Sequence, residues 1–146
     1  MEESLTLLKL IKRDFGLGEV DLRTLSPLTL AFVGDCVYDL ILRTVIVERH
    51  NASPNQLHRE KSRLAKAPSQ AEMAEALQEH LTQEELAVYR RGRNAKSHAT
   101  AKNASVLDYR KATGLEALYG WLYLSGQEER LLQLLRLSLD ELGWKL

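Results

Sequence analysis

Two acidic side chains sit where the hydrophobic pattern of this 146-residue chain calls for apolar ones. Asp35 stands inside the run Leu30-Ala31-Phe32-Val33-Gly34-Asp35-Cys36-Val37-Tyr38, and Glu116 inside Ala112-Thr113-Gly114-Leu115-Glu116-Ala117-Leu118-Tyr119-Gly120. On a helix the neighbours of Asp35 are Ala31 and Phe32 behind it and Tyr38 and Asp39 ahead. No rotation of that helix exposes the carboxylate without also exposing apolar surface. An uncompensated carboxylate in such a setting costs on the order of several kcal/mol. Two arrangements offset that cost. Either the two acids converge on one Mg²⁺, which takes oxygen ligands and prefers one or two carboxylates completed by water. Or each acid meets its own basic side chain, such as Arg43, or caps a helix packed against it. The residue types leave both open.

Glycines accompany both acids: Gly34 precedes Asp35, and Gly114 and Gly120 flank Glu116. A glycine within a helix costs up to about 1 kcal/mol relative to alanine, so it marks a close approach by backbone or ligand. Small residues around both acids would let two helices come near enough to share an ion; plain helix packing uses them equally well. Asp39, one turn beyond Asp35, suits outer support of that carboxylate or, more simply, an ion pair with Arg43. Cys36 reads as a small core residue rather than a nucleophile, since adjacent helical residues face different ways. His58 and His98 lack the spacing of metal ligands.

Charge supplies a second feature. The chain carries 20 basic and 20 acidic residues, yet no acid lies between Leu86 and Leu107, where Arg90, Arg91, Arg93, Lys96 and Lys102 are found. The remaining 15 basic residues face all 20 acids, a net of −5. A basic segment on an otherwise acidic chain is a local site for a polyanion, or else a solvated loop. Arg59, Lys61 and Arg63 form a weaker patch that reads as a solvated helix face.

The elements that must position these groups are helical. Ser26-Pro27 supplies an N-cap and a proline at the first helical position, and an apolar run follows to about Val47. Ser53-Pro54 opens a second helix with Leu57, Leu64 and Ala65, and Pro68 starts a third with Ala71, Ala74 and Leu77 on one stripe. Thr82-Gln83-Glu84-Glu85 is a capping box for a fourth, carrying Leu86, Val88 and Tyr89. The polar, small and basic stretch from Arg93 to Asn103 reads as a loop. A long apolar helix over Val106 to Leu124 and a last one over Glu128 to Leu142, stopped by Gly143, complete the chain. No strand alternation, internal repeat or dividing linker is present, which predicts one all-α domain over residues 1–146. With 45% hydrophobic and 27% charged residues the chain is not disordered. No stretch reaches the roughly 20 apolar residues of a membrane span. The start Met1-Glu2-Glu3-Ser4 lacks a basic signal region, and the single Cys36 permits neither an internal disulfide nor a cysteine zinc site. A reducing, cytoplasmic setting is expected.

At this point the residues carry a resemblance. Leu30-Ala31-Phe32-Val33-Gly34-Asp35-Cys36-Val37-Tyr38-Asp39 resembles the signature helix of the ribonuclease III family, an apolar pair followed by Gly-Asp and further apolar residues. Leu115-Glu116-Ala117-Leu118-Tyr119-Gly120 resembles that family's second metal-binding helix. Arg91-Gly92-Arg93-Asn94-Ala95-Lys96-Ser97 with Lys102-Asn103, and Leu57-His58, Ser62-Arg63 and Ser69-Gln70-Ala71-Glu72, are similar to stretches of the Mini-ribonuclease III subfamily, a catalytic domain without a double-stranded-RNA-binding domain. The similarity runs from about Leu25 to Leu132. It implies a ribonuclease III-like helical fold, a homodimer, Mg²⁺ dependence and endonucleolytic hydrolysis of double-stranded RNA. The natural task it implies is maturation of the 23S ribosomal RNA precursor. Carried over by position, Asp35 and Glu116 are the catalytic metal ligands. Two positions depart from the longer enzymes, which carry glutamate in place of Ala31 and aspartate in place of Thr113. The number of metal ions per site is therefore not implied.

The chain ends soon after Leu142, so duplex affinity is expected to come from the catalytic domain itself. The basic loop Arg90–Asn103 suits it. Arg90, Arg91, Arg93, Lys96 and Lys102 would meet phosphates, while Asn94, Ser97 and Thr100 would meet 2′-hydroxyls, with Asn103 beside them. His98 lies in the same loop. No nucleotide cofactor and no membrane partner are expected. Two rivals remain: a non-catalytic duplex-RNA-binding module of the same fold, and a helical Mg²⁺-dependent nucleotide phosphohydrolase, which leaves the basic loop unexplained.

Overall fold

A computed structural model describes residues 5–96 and 105–146. Its helices are α1 (Leu7–Asp14), α2 (Pro27–Arg49), α3 (Pro54–Ala65), α4 (Ala67–Leu77), α5 (Gln83–Arg93), α6 (Val106–Leu124) and α7 (Glu128–Leu142), with a short 3₁₀ turn over Leu22–Thr24. Among the described residues there is no strand, as the sequence predicts. Five helices start on a hydroxyl residue whose oxygen accepts the backbone N–H three positions on: Thr6, Ser26, Ser53, Thr82 and Ser105. Helix α1 and the 3₁₀ turn are additions to the sequence reading. The Thr6 cap ahead of Leu7 and Leu8 was the available signal for α1.

Helix α6 is the axis of the molecule. Its Leu115, Leu118, Tyr119 and Leu122 are fully buried against Tyr38 and Leu42 of α2, Met73 and Leu77 of α4, and Leu134 and Leu135 of α7. Tyr38 stacks on Tyr119 with ring centres 5.8 Å apart, and its hydroxyl donates to the carbonyl of Leu64 at 2.6 Å. That pair locks α2, α6 and the end of α3 together. The start of α5 is tied to α7 through Glu85. This carboxylate closes the capping box with Thr82 and accepts two hydrogen bonds of 2.8 Å from Arg130. The Arg130 guanidinium beside it holds the Glu85 carboxyl below the usual glutamate range.

The helical glycines set the spacing. A Cβ built on Gly34 would lie 1.7 Å from the carbonyl oxygen of Glu116, and one on Gly120 would lie 1.9 Å from that of Leu30. Helices α2 and α6 therefore touch backbone to backbone. Gly114 serves a different crossing: its Cβ would meet Tyr89 of α5 at 2.8 Å, while Gly92 of α5 faces Ala117 and Gly114. Only Gly34 and Gly120 join the two acid-bearing helices.

Helix α2 has two apolar faces. Leu30, Gly34, Tyr38, Leu42 and Ile46 point inward, four residues apart. Leu28, Phe32, Cys36 and Leu40 follow the same spacing outward and are exposed, Phe32 by 80%. The expectation that Cys36 is a core residue is thus corrected within the single chain, because the inward stripe leaves Cys36 on the opposite side. The basic segment is corrected too. Arg90, Arg91 and Arg93 belong to the last turn of α5, not to a loop, because Gly92 packs on α6 and carries the helix to Arg93. Cations in a last turn also favour the helix dipole. Among the described residues no helix is long and apolar enough to cross a membrane.

Gly34→Ala is expected to destabilise the fold by at least about 3 kcal/mol, since backbone atoms of a packed helix cannot yield. Gly18→Ala, which meets nothing within 4 Å, should stay within about 0.5 kcal/mol of wild type. Urea midpoints measure both, and an unaffected Gly34→Ala would refute the crossing.

Candidate active site

The backbone contact between α2 and α6 brings two acids together from positions far apart in the chain. Asp35 follows Gly34, and the atom that Gly34 approaches is the carbonyl of Glu116 itself. The Asp35 and Glu116 carboxyl groups share a hydrogen bond. Burial, then that hydrogen bond, then the charge of Asp35 push the Glu116 carboxyl up to about 9. Burial, with the Glu116 charge adding to it, also raises the phenol of Tyr38. Asp35 is exposed and Glu116 half-buried, so the pair opens to solvent on one side.

Both acids line one broad groove of ≈ 1270 Å³, together with Ala31, Thr113, Tyr109 and Lys61. That exceeds the roughly 300–1,000 Å³ of a small-ligand pocket. The two departures from the longer enzymes' pattern, Ala31 and Thr113, thus flank the acids directly. Thr113 spends its hydroxyl proton on the carbonyl of Tyr109 at 3.0 Å.

Separate basic partners for the two acids are not what the structure contains. Arg43 goes to Asp39, which also takes Lys61 at 3.0 Å. Among the described residues no cation pairs with Asp35 or Glu116. Burial works against the Asp39 charge, but hydrogen bonds from Lys61 and Arg43 outweigh it and lower the carboxyl. Lys61 is the residue the sequence reading misplaced: assigned to a solvated face, it lies on the groove with 13% of its side chain exposed. Nothing on its own helix could have indicated this, because its partner comes from α2. Arg63 likewise has a partner, donating to the carbonyl of Lys145 at 2.8 Å.

The basic turn lies beside the acids. Gly92 faces Thr113, Gly114 and Ala117 on α6, which places the last turn of α5 within about a helical turn of Glu116. Arg90, Arg91, Asn94 and Lys96 are exposed. Arg93 is half-buried, its guanidinium 5.8 Å from the centre of the Tyr89 ring. Ser97, Lys102 and Asn103, with His98 and Thr100, lie outside the described residues.

A carboxyl whose folded value is raised binds its proton more tightly folded than unfolded. The stability it contributes is complete below its unfolded value of 4.5 and is lost as pH rises toward about 9. In EDTA at pH 8, Glu116→Gln should therefore unfold roughly 2–5 °C above wild type, with a flatter pH profile between 5 and 9. Superimposable melting curves at every pH would refute the coupled pair.

Comparison with known proteins follows the same residues. Positions 28–127 match the family model of the ribonuclease III domain. A Mini-ribonuclease 3 from Thermoanaerobacter sp. is 50% identical, over 80% of this chain and 82% of its own. One from Clostridium tetani is 41% identical over 88% of both chains, and one from Enterococcus faecalis is 44% identical over 84% of this chain and 95% of its own. A crystal structure of a protein from Fusobacterium nucleatum has a TM-score of 0.75 at 25% identity, covering 84% of this chain and 98% of that one. With residues 28–127 and most of its length matched in this way, the chain belongs to the ribonuclease III family, among the Mini-ribonucleases 3.

Proposed function

We propose that the protein is an endoribonuclease that hydrolyses phosphodiester bonds in double-stranded RNA, with Asp35 and Glu116 as its catalytic, Mg²⁺-holding pair. Membership of the family supports the reaction class. The observation that carries the site is the hydrogen-bonded carboxylate pair, drawn from distant helices into an open groove with no protein cation on it among the described residues. The donor set fits Mg²⁺. Two carboxyl oxygens converge, solvent reaches them, and the pair keeps a proton that a divalent cation would displace. Bound there, Mg²⁺ would supply an activated water and neutralise charge growing on the phosphate. The protein's own part is to hold both carboxylates rigidly through the Gly34–Gly120 crossing, which fixes their mutual distance before substrate arrives.

Arg90, Arg91, Arg93, Asn94 and Lys96 surround Gly92, which packs on Thr113, Gly114 and Ala117 of α6, and we assign them to the sugar-phosphate backbone of the duplex. Ser97, Lys102 and Asn103 complete that proposed set by resemblance. Double-stranded RNA is recognised largely by shape, through phosphates and 2′-hydroxyls, which suits exposed guanidinium groups and one amide. The outward stripe Leu28, Phe32, Cys36 and Leu40 supports a homodimer, because a helix apolar on both faces needs a second cover. A two-fold partner would supply it and give two sites to one duplex, one for each strand. A ribosomal RNA precursor, in the cytoplasm, is the natural substrate we assign by resemblance.

The reading predicts that purified protein cuts a long RNA duplex in Mg²⁺, and that EDTA, Asp35→Asn or Glu116→Gln each lower the rate at least about 100-fold. Intact duplex in the wild-type reaction, with binding retained, would leave a non-catalytic RNA-binding module instead. Release of phosphate from mononucleotides would favour the phosphohydrolase. Arg91→Ala with Arg93→Ala should weaken duplex binding and reduce its dependence on log salt by about two charges' worth. An unaltered slope would remove the last turn of α5 from the RNA contacts.

A further inference from the structure

We propose that Lys61 is a phosphate-binding residue of the groove, held in place by Asp39. The proposal rests on the nuclease reading for the identity of its ligand, a strand of duplex RNA. Among the described residues that line the groove, Lys61 is the one cation, against four acids: Asp35, Asp39, Glu116 and Glu128. Acids so placed repel a polyanion, and a built-in positive charge lessens that repulsion. Lys61 is that charge. It reaches the groove from α3, while the acids that define the site come from α2 and α6.

The geometry of Asp39 explains why the ammonium stays there. One carboxylate oxygen takes Lys61 at 3.0 Å and the other takes Arg43. Asp39 thus orients the Lys61 ammonium through a single carboxylate oxygen. Asp39 is one helical turn after Asp35, which sets the ammonium on the order of 5 Å along α2 from the carboxylate pair. A strand whose scissile phosphate meets Asp35 and Glu116 therefore passes Lys61 with a neighbouring phosphate. An ammonium on a flexible stem accepts a phosphate oxygen from a range of directions, and its three donors are not exhausted by one bond to Asp39. Arg43 is the contrast. Its side chain is 58% exposed and does not line the groove. Asp39 acts here as a positioning residue and Lys61 as the contact.

The test uses the full chain and a perfect RNA duplex of about 30 base pairs. Lys61→Gln is expected to raise KM about five- to tenfold with kcat within about twofold, and to lower the salt slope of duplex binding in EDTA by about one. Lys61→Arg should recover most of the KM. Arg43→Gln, which removes the other cation on Asp39, should leave KM and slope unaltered. Lys61→Met gives the same readings should the glutamine variant fail to fold. A charge-removing variant with wild-type KM and salt slope overturns the proposal, even if its melting temperature falls, since that is the behaviour of a structural ion pair. An equal effect from Arg43→Gln overturns it as well. If the wild-type protein binds duplex but leaves it uncut in Mg²⁺, the nuclease reading fails by itself, and the slope in EDTA still decides whether Lys61 meets phosphate.

Discussion

The site depends on a contact between two backbones. Helices α2 and α6 approach so closely at Gly34 and Gly120 that a single carbon atom on either residue would overlap a carbonyl of the other helix. Each glycine costs its own helix up to about 1 kcal/mol, and the dense packing between α2 and α6 offsets that loss. What the crossing achieves is chemical. The residue after Gly34 is Asp35, and the peptide against Gly34 is that of Glu116, so the two carboxyl groups meet because two main chains do. Tyr38, one turn after Gly34, stacks on Tyr119, the residue before Gly120, and so fixes the rotation of the two helices.

A buried glutamate and a half-buried one behave in opposite ways in this fold, and their surroundings explain it. Glu85 closes a capping box and receives a bidentate guanidinium, so its charge is favoured. Glu116 is enclosed by the helix packing and meets another acid, and both raise its carboxyl. The first arrangement serves stability, joining α5 to α7. The second is an unfavourable juxtaposition that the packing of α2 on α6 holds in place. Strongly raised carboxyl values in a cleft are a mark of functional sites, and here burial is the larger cause and the neighbouring Asp35 adds to it.

The same helix carries a third demand. Between its inward stripe at Leu30, Tyr38, Leu42 and Ile46 and its outward stripe at Leu28, Phe32, Cys36 and Leu40, α2 leaves Asp35 at a border. The carboxylate is exposed, and so is the apolar surface around it, which is the outcome that its helical neighbours require. The proposed partnership through α2, the proposed RNA contact through α5 and the acid pair shared by α2 and α6 all involve the few turns around Gly34 and Ala117.

The linear pattern determined most of the architecture. Serine, threonine and proline placed the starts of α2, α3, α4 and α5, and Gly143 placed the end of α7, because caps and turn residues act within a few positions of themselves. The unusual acids were legible for a related reason: a carboxylate inside a helical apolar run is anomalous whatever lies around it. What the chain alone left open was pairing. Whether Asp35 would meet Glu116 or Arg43, whether Gly114 would face α2 or α5, and where Lys61 would point were all decided between helices, by contacts whose partners are dozens of residues away. Short-range rules describe one helix at a time. The crossings between helices, with that at Gly34 and Gly120 bringing Asp35 to Glu116, settle which side chains become neighbours.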